Sequence, residues 1–412
     1  MSRVYIVGAG MTAFGKHLDL SVKELTRRAV QAALEDASAT VADVDAAWFA
    51  NTTQGVLEGQ YLVPGEMALR SMGFQEIPMV NVENACASAS TALNGAFTAI
   101  RAGLSDVALA VGADKMYDQD KARSFAIFDG ALDVHDVPAT LARLRALGDG
   151  VNDPDPAARG NGQQSPFMEV YACFAKAHMR RFGLTPRQLA AVSAKNHRHA
   201  VHNERAQFRD DYSIDEILAA RPIAWPLTLP MCSPISDGAA AVLLCSESAL
   251  QRFERARAVE IRASVIGTGA DREPEDLERH LTRLAAQRAY DMAGLGPEEM
   301  DVAEVHDATA MGEITQSESL GFCAIGEGGA LAESGATALG GRIPINPSGG
   351  LESKGHPIGA TGLGQVFELT EQLRGEAGTR QVEGARFAIA ENGGGIYGIE
   401  EATCCITILA RD

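Results

Sequence analysis

Gly355-His356-Pro357-Ile358-Gly359-Ala360-Thr361-Gly362 sets a single imidazole among glycines and a proline, so a tight backbone presents the ring with nothing bulky beside it. A second stretch supplies a thiol. In Asn81-Val82-Glu83-Asn84-Ala85-Cys86-Ala87-Ser88-Ala89-Ser90-Thr91-Ala92, a β-like run gives way to small residues that read as a helix start. A thiol at such a turn faces unpaired backbone N–H groups and the positive end of the helix dipole, which favours the thiolate. Cys86 and a glycine-presented His356 together form the minimum for acyl transfer through a thioester.

The same two stretches mark a repeat at half-chain scale. A helix starting at Ser21, with the capping box Ser21-Val22-Lys23-Glu24, carries Val22, Leu25, Ala29 and Ala33 on one side and leads into Val41–Trp48. Leu284–Leu295 reads as a second such helix, leading into Gly296–Val305. Cys86, its small-residue helix and the strand Ser105–Gly112 are then echoed by His356, its helix and the strand Ala385–Ala390. Strands alternating with helices predict α/β halves with a largely parallel sheet. Two halves stacked through helices give a duplicated five-layered α/β/α/β/α arrangement. The expected division is 1–115 with 231–255 as the N-terminal half, 116–230 as an insertion over the active site, and 256–412 as the C-terminal half. Within the insertion Gly148–Ser165 reads as a loop, and Phe167–Phe182 and Thr185–Asn203 as helices.

A length of 412 residues allows more than one core, and 46% hydrophobic with 22% charged residues is ordinary for a globular chain. A net charge of −18 and the lack of a Lys/Arg block argue against a nucleic-acid partner. The seven cysteines show no Cys-x-x-Cys spacing, so neither a disulfide framework nor a metal site is expected, and a reducing cytoplasm fits. Ser2–Gly10 reads as a strand and turn rather than a leader, and no apolar run reaches membrane-spanning length.

The Cys86 and His356 motifs together resemble the thiolase superfamily, whose nucleophilic cysteine and activating histidine occupy those positions. The segments at 168–172, 192–197 and 232–240 are similar to the sterol-carrier-protein type of thiolase, and the likeness runs from about Val4 to Leu409. It implies a CoA-dependent acyltransferase that cleaves or forms a 3-oxoacyl-CoA through a Cys86 acyl-enzyme, with coenzyme A as co-substrate and no bound cofactor. A homodimer or larger assembly is implied too, through the first half, as is a small partner carrying a zinc ribbon and an oligonucleotide-type barrel. No lipid-carrier domain is expected after the thiolase unit. Alternative readings are a carbon-acyltransferase, an aldol-cleaving lyase, or a catalytically silent acyl-CoA-binding subunit.

Glu304-Val305-His306-Asp307-Ala308-Thr309 matches the family's Asn-Glu-Ala-Phe or His-Asp-Cys-Phe motif, which gives His306 a place at the enolate. The family's second cysteine is missing. Ala308 stands at one of its possible places, and Glu391-Asn392-Gly393-Gly394-Gly395 at the other, so Glu391, or Asn392 with a one-residue slip, is expected to carry the acid/base work. Cys404 and Cys405 read as core strand. By resemblance Met168 and Ser233 contact pantetheine, Gly394 and Tyr397 lie at the substrate, and Lys115, Arg180 and Arg181 could reach a CoA phosphate.

Overall fold

The computed structural model describes residues 2–154 and 166–411. Its strands in chain order are β1 (Val4–Met11), β2 (Ala46–Ala50), β3 (Met79–Val82), β4 (Val107–Asp114), the short pair β5 (Pro222–Ala224) and β6 (Leu227–Thr228), β7 (Gly238–Ser246), β8 (Val259–Thr268), β9 (Val302–Glu304), β10 (Phe387–Gly394) and β11 (Thr403–Ala410). Nine of them form one sheet in the order β3-β2-β4-β7-β1-β8-β11-β10-β9. Outward from the centre, this order is a duplication: β1-β7-β4-β2-β3 on one side and β8-β11-β10-β9 on the other. Ile345 bridges to Ala303 in β9 in the place that β3 takes beside β2. The halves touch where Tyr5 and Ile6 of β1 pair with Glu260 and Val259 of β8.

The largely parallel sheet expected from the sequence is in fact mixed. β2 runs parallel to β3 and β4, and β9 parallel to β10, but β7 is antiparallel to β4 and β1, and β11 to β10 and β8. The reason is visible in the connection at 395–402. It is too short to cross over a sheet, so the strands that it joins must run antiparallel.

Three apolar clusters define the layers. Val4, Ile6, Ala110 and Val242 from one half-sheet, and Ile261, Val302, Ala388 and Leu409 from the other, bury against the helices Ser88–Arg101 and Thr361–Arg374. On the outside of the first half, Val7, Phe49, Leu109 and Leu243 pack on Leu25, Ala29 and Ala33 of the helix Val22–Asp36. Outside the second, Val265, Ile389, Ile406 and Ile408 pack on Leu281, Ala285 and Ala289 of the helix Leu281–Ala293. Helix, sheet, central helices, sheet and helix make the five-layered duplicated α/β fold. The expected Ser21 cap is present, its Oγ accepting from the Glu24 N–H at 3.2 Å.

The central helices come very close. A Cβ on Gly362 would lie 1.9 Å from Ser90 Oγ and 2.4 Å from Asn392 Oδ1, so only glycine fits there. In the segment between the halves, the helices Pro166–Phe182 and Pro186–Ala200 form, the second opened by a Thr185–Gln188 capping box. Tyr171, Ala175, Leu189 and Val192 of these helices share a cluster with Ala308, Met311 and Ile314 of the second half. Of the loop expected at 148–165, residues 155–165 lie outside the described residues. No described helix is long and apolar enough to cross a membrane.

Gly362→Ala is expected to lose about 1–3 kcal/mol of stability by overpacking the central helix contact. A shift of the denaturant midpoint at unchanged slope measures it, and an unshifted midpoint contradicts the close approach.

Candidate active site

Cys86 sits between β3 and the helix Ser88–Arg101, on a turn where Ala85 has φ +48°. Ser88 holds this turn, its Oγ accepting from the Asn84 N–H at 2.8 Å and donating to the Ala85 carbonyl at 2.6 Å. The end of β10 is pressed against it. A Cβ on Gly394 would fall 2.3 Å from Asn84 O and 2.6 Å from Ala87 N, so glycine is required for that approach. The next residue, Gly395, directs its N–H at the Cys86 sulfur, as does the N–H of Cys86 itself.

His356 precedes the second central helix and is placed from three sides. Its N–H donates to Ser236 Oγ at 3.0 Å, and the neighbouring Gly359 N–H donates to Asp114 Oδ2 at 2.5 Å. Asp114, buried at the end of β4, also accepts from Asn51 Nδ2 and from the N–H groups of Thr52 and Thr53. It thus ties the His356 loop to the loop after β2. On the ring, Nδ1 lies 2.7 Å from Thr361 Oγ1, whose one proton goes to the Pro357 carbonyl. Thr361 therefore accepts from Nδ1–H, which leaves Nε2 as the basic nitrogen.

His306 follows β9. Its ring stands 5.2 Å from that of His356, centroid to centroid at 64°, and among the described residues neither of its buried nitrogens has a hydrogen-bond partner. Cys86 Sγ and one nitrogen of each histidine all lie within 4.8 Å of one another. Residues 86, 306 and 356, distant in sequence, form a single cluster.

The resting protonation differs from the sequence expectation. Burial pushes the Cys86 thiol up to about 12, the charges of Asp114 and Glu83 add to this, and the two N–H groups on the sulfur only partly oppose it. The helix terminus does not prevail over desolvation here, although Cys86 as a residue is only half-buried. Burial lowers His306 to about 4 and, together with the neighbouring His306, takes His356 well below its ordinary value. The site therefore rests as a neutral thiol beside two neutral imidazoles.

Glu391 and Asn392 are not in this cluster. Alternation along β10 sends them to opposite faces. Glu391 is buried with its Oε2 accepting from the His306 N–H at 2.9 Å and Cys404 Sγ 3.6 Å from Oε1. Burial, helped by Glu401, raises its carboxyl to about 8. Asn392 Oδ1 instead accepts from Ser90 Oγ at 2.8 Å and fastens β10 to the Cys86 helix. Both hold the site from behind.

Ser233 donates its N–H to the Ala308 carbonyl, beside the His306 loop, and half-buried Met168 packs on the cluster containing Ala308. Tyr397 is 70% exposed on the loop after β10, too open to be a buried catalytic phenol. Lys115 is committed to the His17 carbonyl and to Asp237, and Arg180 and Arg181 to the carbonyls of Asp149 and Glu275. Cys404 and Cys405 are buried in β11.

Sequence reasoning missed two features. Lys195 Nζ donates to Glu313 Oε1 at 2.6 Å, and Asn196 Nδ2 to Glu313 and Asp307, so the segment at 192–197 braces the His306 loop. Tyr171 is also buried, its phenol pushed well above the usual range by burial and then by Glu401, Cys86, Glu391 and Asp307. It borders a cavity of about 130 Å³ with Phe174, Phe182, Met311 and Glu401, which none of Cys86, His306 or His356 lines.

Residues 4–217 match the thiolase N-terminal domain, and residues 264–409 the thiolase C-terminal domain-like family. The chain belongs to the thiolase family. It is 37% identical over 420 residues to acetyl-CoA acetyltransferase of Methanothermobacter thermautotrophicus, with all of both chains covered. It is 36% identical over 404 residues to sterol carrier protein 2 of Rattus norvegicus, covering 95% of this chain and 70% of that one. A solved Ltp2-ChsH2(DUF35) aldolase shares the fold at a TM-score of 0.77 and 24% identity, covering 100% and 98% of the two chains. As a thiolase-family member the protein is an acyltransferase.

With the thiol neutral up to about 12, alkylation of Cys86 by iodoacetamide should rise about tenfold per pH unit from pH 7 to 9.5 with no plateau. Mass spectrometry of the Cys86 peptide reads the rate, and a plateau near pH 7 would mean a preformed thiolate.

Proposed function

We propose that this thiolase-family protein cleaves, and in reverse forms, a 3-oxoacyl-CoA through an acyl-enzyme on Cys86. The observation that carries the reading is the 4.8 Å cluster of one thiol and two imidazoles at the convergent ends of the duplicated halves.

His356 Nε2 takes the thiol proton as sulfur attacks the keto carbon. Paired proton transfer suits a neutral thiol next to a neutral base, since neither ion is stable alone in the buried site. The N–H groups of Cys86 and Gly395, already aimed at the sulfur, receive the oxyanion. When that carbonyl re-forms, the carbon–carbon bond breaks and its electron pair passes to the departing acyl-CoA as an enolate. The enolate carbon takes up the proton carried by His356. Coenzyme A then gives its thiol proton to a histidine, attacks the Cys86 thioester and leaves with the acyl group, and that histidine returns the proton to the expelled Cys86 thiolate.

His306 supplies the second proton carrier that a missing second cysteine would otherwise provide, since among the described residues neither of its ring nitrogens has a hydrogen-bond partner. Glu391 acts through it. The carboxyl oxygen holds the His306 N–H and thereby the loop's position at the end of β9. In this reading Ser233 and Met168 contact pantetheine and Tyr397 the substrate, while Gly394 keeps β10 against the Cys86 turn. An acyl-enzyme needs the Cys86 nucleophile, whereas an aldol-cleaving lyase does not, so retention of Cys86 beside His356 favours the thiolase reading.

For assembly, β3 is a sheet edge with Val80 exposed, and Tyr61, Leu62, Val63 and Met67 expose apolar surface in the same half. This supports a homodimer through the first half. The Ltp2-ChsH2(DUF35) aldolase is named for two components, which supports a small partner subunit for this chain as well.

Incubation with an acyl-CoA should add one acyl mass to the Cys86 peptide, and Cys86→Ala should abolish the adduct. An adduct persisting in the variant, or absent from the wild type under all acyl-CoAs tried, overturns the acyl-enzyme. Glu391→Gln keeps an oxygen acceptor for the His306 N–H and should keep most of the turnover. Glu391→Leu orphans that N–H at about 1–3 kcal/mol and should lose about tenfold or more. A loss of about 100-fold in Glu391→Gln would instead place Glu391 in the proton path.

A further inference from the structure

The donor set at the active site has a second chemistry. Cys86 offers a sulfur, and His306 and His356 each offer a nitrogen, all within 4.8 Å of one another. Tetrahedral Zn–N and Zn–S bonds place neighbouring ligand atoms about 3.3–3.8 Å apart, so modest side-chain movement closes the cluster on one ion. His306 is 3% exposed, and among the described residues neither of its ring nitrogens has a hydrogen-bond partner. His356 is already oriented as a ligand would be, its Nδ1–H bonded to Thr361 Oγ1 and its Nε2 without a hydrogen bond among the described residues.

We propose that Cys86, His306 and His356 form a three-ligand site for a soft divalent cation of the zinc class, with the fourth position open, and that occupancy reversibly blocks acyl transfer. No local pattern of residues announces such a site. The ligands come from both halves of the duplication, with separations unlike any local Cys/His motif, and only the fold brings them together.

Binding is linked to proton release. The cation displaces the Cys86 thiol proton, which leaves to solvent, so binding one M²⁺ releases one H⁺ and adds a net +1 to the site. Two nitrogens and a thiolate favour zinc over the hard cations magnesium and calcium, which take oxygen ligands. Bound zinc occupies the sulfur lone pair and the basic nitrogen together, so neither the attack nor the proton transfer can proceed. The block therefore rests on the acyl-enzyme reading; the metal site itself does not.

Cobalt(II) titrated into the metal-free full-length protein is the test. The expected result is one Co²⁺ per chain, with intense tetrahedral visible bands and a near-ultraviolet thiolate-to-cobalt band. Zinc should displace it, and millimolar magnesium should not. Alkylation of wild-type Cys86, verified by mass spectrometry, should remove the thiolate band without any substitution, and His306→Ala should weaken binding about 100-fold or more. Absence of the band in the unmodified protein, or its survival after Cys86 alkylation, overturns the site. Zinc should also stop acylation of Cys86 by an acyl-CoA, with recovery on chelation; acylation undiminished at saturating zinc overturns the block. A protein that shows the cobalt spectrum but never acylates retains the metal site and refutes the acyl-enzyme reading alone.

Discussion

The contact on which the molecule depends is the one between its two central helices at Gly362 and Ser90. Without a side chain at 362, the helix that follows His356 can lie against the helix that follows Cys86, and their N-terminal ends converge. Both half-sheets then bury their inner faces on this pair. A single methyl group there would push apart the layer that brings His356 and Cys86 together. Asn392 reinforces the contact, since the Ser90 hydroxyl that fills the space beside Gly362 also donates to its amide oxygen.

Burial sets the chemistry of the resting site. In water, a thiol at a helix start gains from the dipole, but desolvation costs an isolated thiolate more than two backbone N–H groups return. The same desolvation holds the histidines neutral.

A dense polar network behind the site offsets this apolar front. Asp114 draws the loops after β2, β4 and Pro357 together. In the other half, Asp307 accepts from Asn196 Nδ2 and from the Leu351 and Glu352 N–H groups. Glu313 accepts from Lys195, Asn196 and Asn346. Lys354 pairs with Glu304 at 3.0 Å. Glu313 and Glu304 are thus paired with lysines, Asp114 and Asp307 are held by amide donors, and together they fix the loops that bear His306 and His356.

Local chemistry was legible in the sequence. Periodicity and the Ser21 box announced the outer helices, the half-chain repeat announced the duplication, and the motifs around Cys86, His306 and His356 announced which side chains would meet. The strand direction of β11, the raised thiol of Cys86 and the division of labour along β10 were not legible. Each depends on what lies across space: a connection length relative to the sheet, the depth of burial, and the face of a strand on which a residue falls. Glu391 shows this most clearly. Its motif places it where a catalytic group is wanted, whereas the pleat of β10 turns its carboxyl to the His306 backbone, a contact set by the neighbouring strand and not by the motif.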